Sequence, residues 1–384
     1  MQEVKKFELF SVPPRWLLLR IESGDGLVGW GEPIVEGRTS TTSAAVKELM
    51  NSYVIGEDPN RIEDIWQVLY RGGFYRGGPV LMSALAGIDQ ALWDMKGKRF
   101  GVPIYELLGG PVRDKIRTYS WIGGDEPAKV AEDAIEKKND GFTALKMNVA
   151  GKLERFETPK KVEEIKTRFE TVREAVGPEV DIAIDFHGRV SKSMFPRIAR
   201  AIEPYDPLFI EEPIINAHPV EIGKLKERTT VPIAFGERQY SRLDFRPYLE
   251  ERAVDILQPD LSHAGGITEC KKIASMAETY EVDMAFHCPL GPIALAACLQ
   301  VDGIAYNAFI QEQSIGLHYS KGTVLSDYIE NPEDLTPENG FLSLPEGPGL
   351  GVKIDGRAVR SASTDYLDWK NPIWRREDGS LAEW

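Results

Sequence analysis

The strongest constraint on this chain is a repeat. From residue 116 onward, short apolar segments of strand length recur: IRTYSW (116–121), FTALKM (142–147), VDIAID (180–185), PLFIEE (207–212), PIAFGE (232–237), DILQPD (255–260), VDMAFH (282–287) and YNAFIQ (306–311). Between them lie stretches with apolar residues at helical spacing, at 127–138, 162–176, 194–202, 220–227, 245–250, 266–279 and 291–301. Parallel strands need a crossover, and eight strand-then-helix units over roughly 200 residues have the periodicity of a (β/α)8 barrel. The expected fold class is therefore α/β, a TIM-type barrel whose active site lies at the carboxyl ends of the strands.

The flanks read differently. Residues 6–11, 16–22 and 27–31 are expected to form an antiparallel meander around a Gly-rich turn, followed by helical spacing at 42–54, 60–70 and 82–98. This gives an α+β amino-terminal capping domain over 1–115, a barrel over 116–320, and a Gly/Pro-rich tail over 321–384 that packs back on the cap and completes it. A net charge of −14 without a basic stripe argues against nucleic acid. No run approaches a membrane span and MQEVKKFELF lacks a signal-type apolar region, so no membrane partner and a cytoplasmic location are expected. Cys270, Cys288 and Cys298 form neither a CxxC pair nor a disulfide framework and read as buried thiols.

Three strands end in acids 26 residues apart: Asp185, Glu211 and Glu237. That interval is one βα unit, so consecutive strands deliver three carboxylates side by side at the barrel mouth. Like charges at such range are costly unless a cation lies between them, and oxygen-only ligands suit Mg2+. Asp260 and His287 end the next two strands, 27 residues apart, and a carboxylate beside an imidazole is the arrangement of a general base. His187, two residues past Asp185, is expected on the same strand face. Lys146 and Asn148 close the second strand and are candidates to bind a substrate carboxylate; Glu312 ends the eighth strand and completes the ring. His218, His263 and His318 are expected at the surface or in supporting positions. The glycines at 72–78 and 109–110 do not sit in a phosphate-binding pattern and read as turns, the first able to serve as a lid. Trp16 and Tyr75 either cap the pocket or pack, and Phe286 is expected beside the base.

These residues, with VGWGEP, AGIDQALWD, IDFHGRV, LFIEEP, LQPDLSHAGGITEC and HCPLGPIALAAC, make the chain similar to the mandelate racemase subgroup of the enolase superfamily over nearly its whole length. The resemblance implies Mg2+ on Asp185, Glu211 and Glu237, a C2 proton taken from a sugar acid by His287 with Asp260 behind it, a departing 3-hydroxyl protonated by His187, and developing charge steadied by Glu312. It also implies a small-molecule sugar-acid substrate, a hydro-lyase activity giving a 2-keto-3-deoxy acid, with galactonate the first substrate to test, and a homo-oligomer. One departure bears on the reaction. Many racemases and cycloisomerases of the subgroup carry Lys-x-Lys where this chain has Lys146-Met147-Asn148, and Asn148 cannot carry a proton, which favours dehydration. The alternatives are a dehydratase or epimerase for gluconate, a pentonate or an aldarate, and a non-catalytic sugar-acid binding protein.

Overall fold

The chain is described by a computed structural model covering residues 3–123, 126–315, 317, 322, 324–364 and 369–384. Strands β1 (Val4–Val12), β2 (Trp16–Ser23) and β3 (Val28–Gly31) form the expected antiparallel meander. Helices α1 (Thr39–Leu49), α2 (Ile62–Arg71), α3 (Pro79–Phe100) and α4 (Ile104–Leu108) follow. Proline at its first position starts α3, and left-handed Gly101 ends it. The Val-Gly-Trp-Gly sequence of β3 is explained by this helix: a Cβ on Gly31 would lie 1.9 Å from the Gly87 carbonyl oxygen of α3. Only glycine allows the strand to lie directly on the helix.

The barrel begins after β4 (Lys115–Arg117). Its strands and helices are β5 (Ser120–Trp121), α5 (Pro127–Asn139), β6 (Ala144–Asn148), α6 (Pro159–Val176), β7 (Asp181–Asp185), α7 (Phe195–Ile202) and β8 (Ile210–Glu211). They continue with α8 (Pro219–Lys226), β9 (Ile233–Phe235), α9 (Arg242–Glu250), β10 (Ile256–Leu257), α10 (Gly266–Glu278), β11 (Asp283–Met284) and α11 (Pro292–Asp302). Strands β5 to β11 make one parallel sheet in chain order. The eighth segment closes it through two parallel bridges, Ala308 to Met284 and Gln311 to Thr118. The first expected strand, 116–121, divides: β4 pairs antiparallel with β12 (Phe341–Ser343) from the tail, and only β5 enters the barrel sheet.

The barrel is filled, not hollow. Tyr119, Ala144, Ala183, Phe209, Ala234, Ile256, Ala285 and Ile310, one from each of the eight segments, make a buried ring. Because strand side chains alternate, the next inward residue on each segment lies two positions on. That layer is Trp121, Lys146, Asp185, Glu211, Gly236, Gln258, His287 and Glu312.

The tail returns to the amino-terminal unit. Helix α12 (Gly356–Ala362) lies against β1, where Arg360 binds both carboxylate oxygens of Glu8 at 2.7 and 2.8 Å, and Thr364 bridges Ser11. It ends in a small hairpin of β13 (Trp374–Arg375) and β14 (Leu381–Ala382). All three cysteines are free and buried, and no helix among the described residues is long and apolar enough to cross a membrane.

One carboxylate joins cap to barrel. Glu32, just past β3, accepts from Gly291 N at 2.7 Å and Ala294 N at 3.0 Å, the first turn of α11. Burial pushes its pKa up to about 8, against those two hydrogen bonds. A helix start held this way needs its acceptor. Glu32→Ala leaves both N–H groups unpaired and is expected to cost about 2–4 kcal/mol, read as a lower midpoint in denaturant unfolding; an unchanged midpoint would show that water replaces the carboxylate.

Candidate active site

The inward layer brings most of the predicted residues together. Asp185 and Glu211 are register partners at the ends of β7 and β8, both buried. Glu237 reaches the mouth by another route. It is three residues past the ring residue Ala234, so alternation alone would turn it away; Gly236, at φ +146°, bends the chain and redirects it. Its neighbour Arg238 folds back onto Glu212 of the adjacent strand end, Nε to Oε2 3.0 Å.

His187 is also placed by a turn rather than by strand alternation. Strand β7 ends at Asp185, whose Oδ1 accepts the His187 N–H at 2.6 Å, and His187 is left-handed at φ +50°. Its Nδ1 lies 2.8 Å from the main-chain oxygen of Trp384. His287 Nδ1 lies 2.8 Å from Asp260 Oδ2, while its Nε2 faces Glu237 Oε2 at 3.1 Å and Glu312 Oε2 at 3.9 Å. Asp260 is fixed in turn by the Ser262 N–H on Oδ1, at 2.8 Å.

Lys146 is wholly buried, its Nζ 2.6 Å from Glu211 and 3.0 Å from Glu312. Both carboxylates claim the ammonium, which ties the second, fourth and eighth strands together. Asn148, at the same strand end, has a side-chain oxygen that is buried with no hydrogen-bond partner among the described residues. Glu312 also accepts from Trp121 Nε1 and from the Cys288 N–H, each at 2.8 Å.

The electrostatics show one excess. Burial, with Asp185, Glu312 and Glu237 nearby, holds the Glu211 carboxyl well above its ordinary range despite Lys146. Burial opposes ionisation of Glu237 and Glu312 as well, yet His287 and His187 hold the first well below the usual carboxylate value, and Lys146 and His287 hold the second below it. Burial would lower His287, but Glu237, Glu312 and Asp260 raise it well above an ordinary imidazole. More negative charge gathers here than the side chains can balance.

Behind Asp260, in the loop after β10, His263 is held by groups of the cap. His263, buried, lies 3.7 Å from Asp260 and 3.5 Å from Glu36, and its Nδ1 is 2.9 Å from Ser83 Oγ. Burial would raise Glu36, but Arg15, 3.3 Å away, and His263 hold it well below the normal carboxylate range.

Other expectations fall away from the mouth. Phe286 alternates outward and is buried with Leu257 and Met284 in the core outside the barrel ring, not beside the base. His218 is exposed just ahead of α8, and His318 lies outside the described residues. Trp16 packs edge-on against Tyr328, and Tyr75 is 88% exposed. Gln258, which donates to Glu211 Oε2 at 2.8 Å, and Trp121 were missed by the sequence reading. Their signal was available, because each holds the inward position of its strand.

As arranged, no three His, Cys, Asp or Glu side chains among the described residues are grouped closely enough to hold a metal ion. Glu211 is turned onto Lys146 and Gln258, and Glu237 onto His287. The donor set nonetheless suits a hard divalent cation in kind: three carboxylates at the ends of adjacent strands, offering oxygen ligands alone.

A (β/α)8 barrel with acids, a histidine–aspartate pair and a second histidine on its strand ends is the scaffold of an acid–base enzyme. Comparison with known proteins makes this specific. Residues 129–359 match the family model described as "Enolase C-terminal domain-like", and residues 13–109 match the "Mandelate racemase / muconate lactonizing enzyme, N-terminal domain". The chain belongs to the enolase superfamily, in its mandelate racemase/muconate lactonizing enzyme subgroup. It is 53% identical over 382 residues, covering 100% of each chain, to the D-galactonate dehydratases of Ralstonia pickettii and Ralstonia nicotianae. Among solved structures it is similar to a mandelate racemase/muconate lactonizing enzyme-like protein from Roseovarius sp. TM1035, at TM-score 0.89 and 28% identity, covering 99% of this chain and 100% of that one. A mandelate racemase/muconate lactonizing enzyme from Jannaschia sp. CCS1 matches at TM-score 0.86 and 28% identity, covering 95% and 98%.

The placement of Glu237 is open to test. A Cβ at Gly236 would meet the Phe245 ring at 2.6 Å and the Gln258 backbone at 3.1 Å. Gly236→Ala is expected to cost at least about 2 kcal/mol in unfolding free energy and to shift the His287 ring resonances in NMR spectra as Glu237 moves. A stable variant with unchanged His287 resonances would contradict this role.

Proposed function

We propose that this chain is a sugar-acid hydro-lyase that dehydrates D-galactonate to 2-dehydro-3-deoxy-D-galactonate. The observation that carries the substrate is the full-length 53% identity to two proteins named D-galactonate dehydratase. The site supports the reaction type, since it holds two histidines on separate strand ends, each aimed by a different partner.

Asp185, Glu211 and Glu237 would hold Mg2+. Bound there, the ion supplies the positive charge that makes a proton next to a carboxylate removable at neutral pH. His287 takes the C2 proton on Nε2, because a proton on Nδ1 is committed to Asp260, 2.8 Å away. The orienting pair is further fixed by Ser262 and His263. Glu312, 3.9 Å from Nε2, steadies the imidazolium that forms, while Lys146 and Trp121 keep it in place.

His187 delivers a proton to the 3-hydroxyl. The C3–O bond breaks, water leaves, and the electron pair from the C2–H bond becomes the C2=C3 bond of an enol. The enol then tautomerises to the 2-keto-3-deoxy acid. Asn148, with its unsatisfied oxygen, is the polar group at the end of β6 left for substrate, and Lys146 is a positioning residue for Glu211 and Glu312. A second base in place of Asn148 would open a racemisation route, which this chain lacks at that position. A cytoplasmic setting, self-association and the absence of a membrane partner belong to the same reading, and the net charge of −14 argues against a nucleic-acid partner.

The test is a panel of aldonic and aldaric acids with Mg2+, with and without chelator, scored by 2-keto-3-deoxy product. Galactonate is expected to turn over strongly, and His287→Asn to reduce turnover by about 10^3-fold or more while calorimetric Mg2+ binding persists. Turnover of another acid sugar alone would move the specificity, and tight Mg2+ binding with no turnover of any member would overturn dehydration.

A further inference from the structure

We infer that Trp384 is a positioning residue for His187, and that the tail bearing it is part of the proton-delivering half of the site. The inference rests on the reading of His187 as the acid.

The contact is direct and has chemical consequences. A main-chain oxygen accepts, so the Trp384 oxygen 2.8 Å from His187 Nδ1 requires that nitrogen to carry its hydrogen. The proton that can be given away then resides on Nε2, the ring's other edge. The Trp384 indole meets the imidazole edge to face, with centroids 5.2 Å apart and planes at 86°, which blocks rotation of the ring. Tautomer and orientation are thus set by the same residue, much as Asp260 sets them for His287 on the opposite side.

The tail is anchored well enough to do this. The Trp384 ring packs on Trp369, centroids 6.2 Å apart, and the Arg15 guanidinium covers Trp369 at 4.4 Å. The hairpin of β13 and β14 is pinned to two barrel loops. Lys152, after β6, donates to the Arg375 carbonyl at 2.9 Å, and Arg189, after β7, stacks on Trp374 at 4.9 Å. The loop after β7 also carries His187, so His187 and Arg189, which holds the hairpin, lie on the same segment. Arg15 ties the arrangement to Glu36 and the cap.

Proton removal and proton delivery can be measured separately, which makes the role testable. In D2O, loss of delivery leaves His287 able to exchange C2 hydrogen of galactonate for deuterium without forming product. Trp384→Ala, and a chain ending at Ala382, are expected to form keto acid about 10^2-fold more slowly while C2 exchange into recovered substrate stays within about tenfold of the wild-type rate of proton removal. Trp384→Phe, which unlike Trp384→Ala keeps an aromatic edge against the imidazole, should restore most of the product rate. His187→Gln is the reference and should show the same uncoupling. If His187→Gln uncouples the two rates and the Trp384 variants lose both in parallel, or lose neither, the role assigned to Trp384 is wrong. If His187→Gln itself fails to uncouple them, the acid reading of His187 falls, and this inference with it.

Discussion

In the mouth of the barrel Glu211 and Glu312 share the buried ammonium of Lys146, with Asp185 beside Glu211 and Glu237 turned onto His287. The surrounding structure is organised by that concentration of charge. Small residues in the ring beneath, Ala144, Ala183, Ala234 and Ala285, leave room for long polar side chains above them. Glu211 shares Lys146 with Glu312 and takes a hydrogen bond from Gln258, and Glu237 takes one imidazole nitrogen of His287. Desolvation makes each of these pairings necessary, since a buried carboxylate without a partner is far costlier than one in water.

The cap serves the same site from outside the barrel. Arg15, Glu36 and Ser83 fix His263 behind Asp260. Glu32 seats the helix that follows the His287 strand. The tail closes the circuit by placing Trp384 on His187. The Asp260–His287 side is therefore ordered through the cap, and the His187 side through the tail.

Much of this was legible in the sequence because the βα interval carries it. A spacing of 26 residues between Asp185, Glu211 and Glu237, and of 27 between Asp260 and His287, is a statement about adjacent strands. The strand-end assignment also led to the site, through one rule of alternation. The same rule fails where the chain leaves the strand: His187 arrives through a left-handed turn and Glu237 through Gly236, so both reach the pocket for reasons that alternation does not contain. Phe286 shows the opposite case, where alternation, applied consistently, would have turned the ring outward. The pairing of Lys146 with Glu211 and Glu312 has no local trace, because those partners are 65 and 166 residues away. Trp384, 197 residues from His187, has no local signal at all.

The central claim is that the strand-end acids are an unbalanced charge cluster built for a divalent cation, and thermal unfolding tests it without reference to turnover. Mg2+ at millimolar concentration is expected to raise the melting temperature of the chain by several degrees, through binding to the folded state alone. Asp185→Asn, which keeps the shape and removes one charge, should abolish that increase while raising or preserving the melting temperature in the absence of metal. A wild-type melting temperature indifferent to Mg2+, or a response that survives Asp185→Asn unchanged, would contradict the claim.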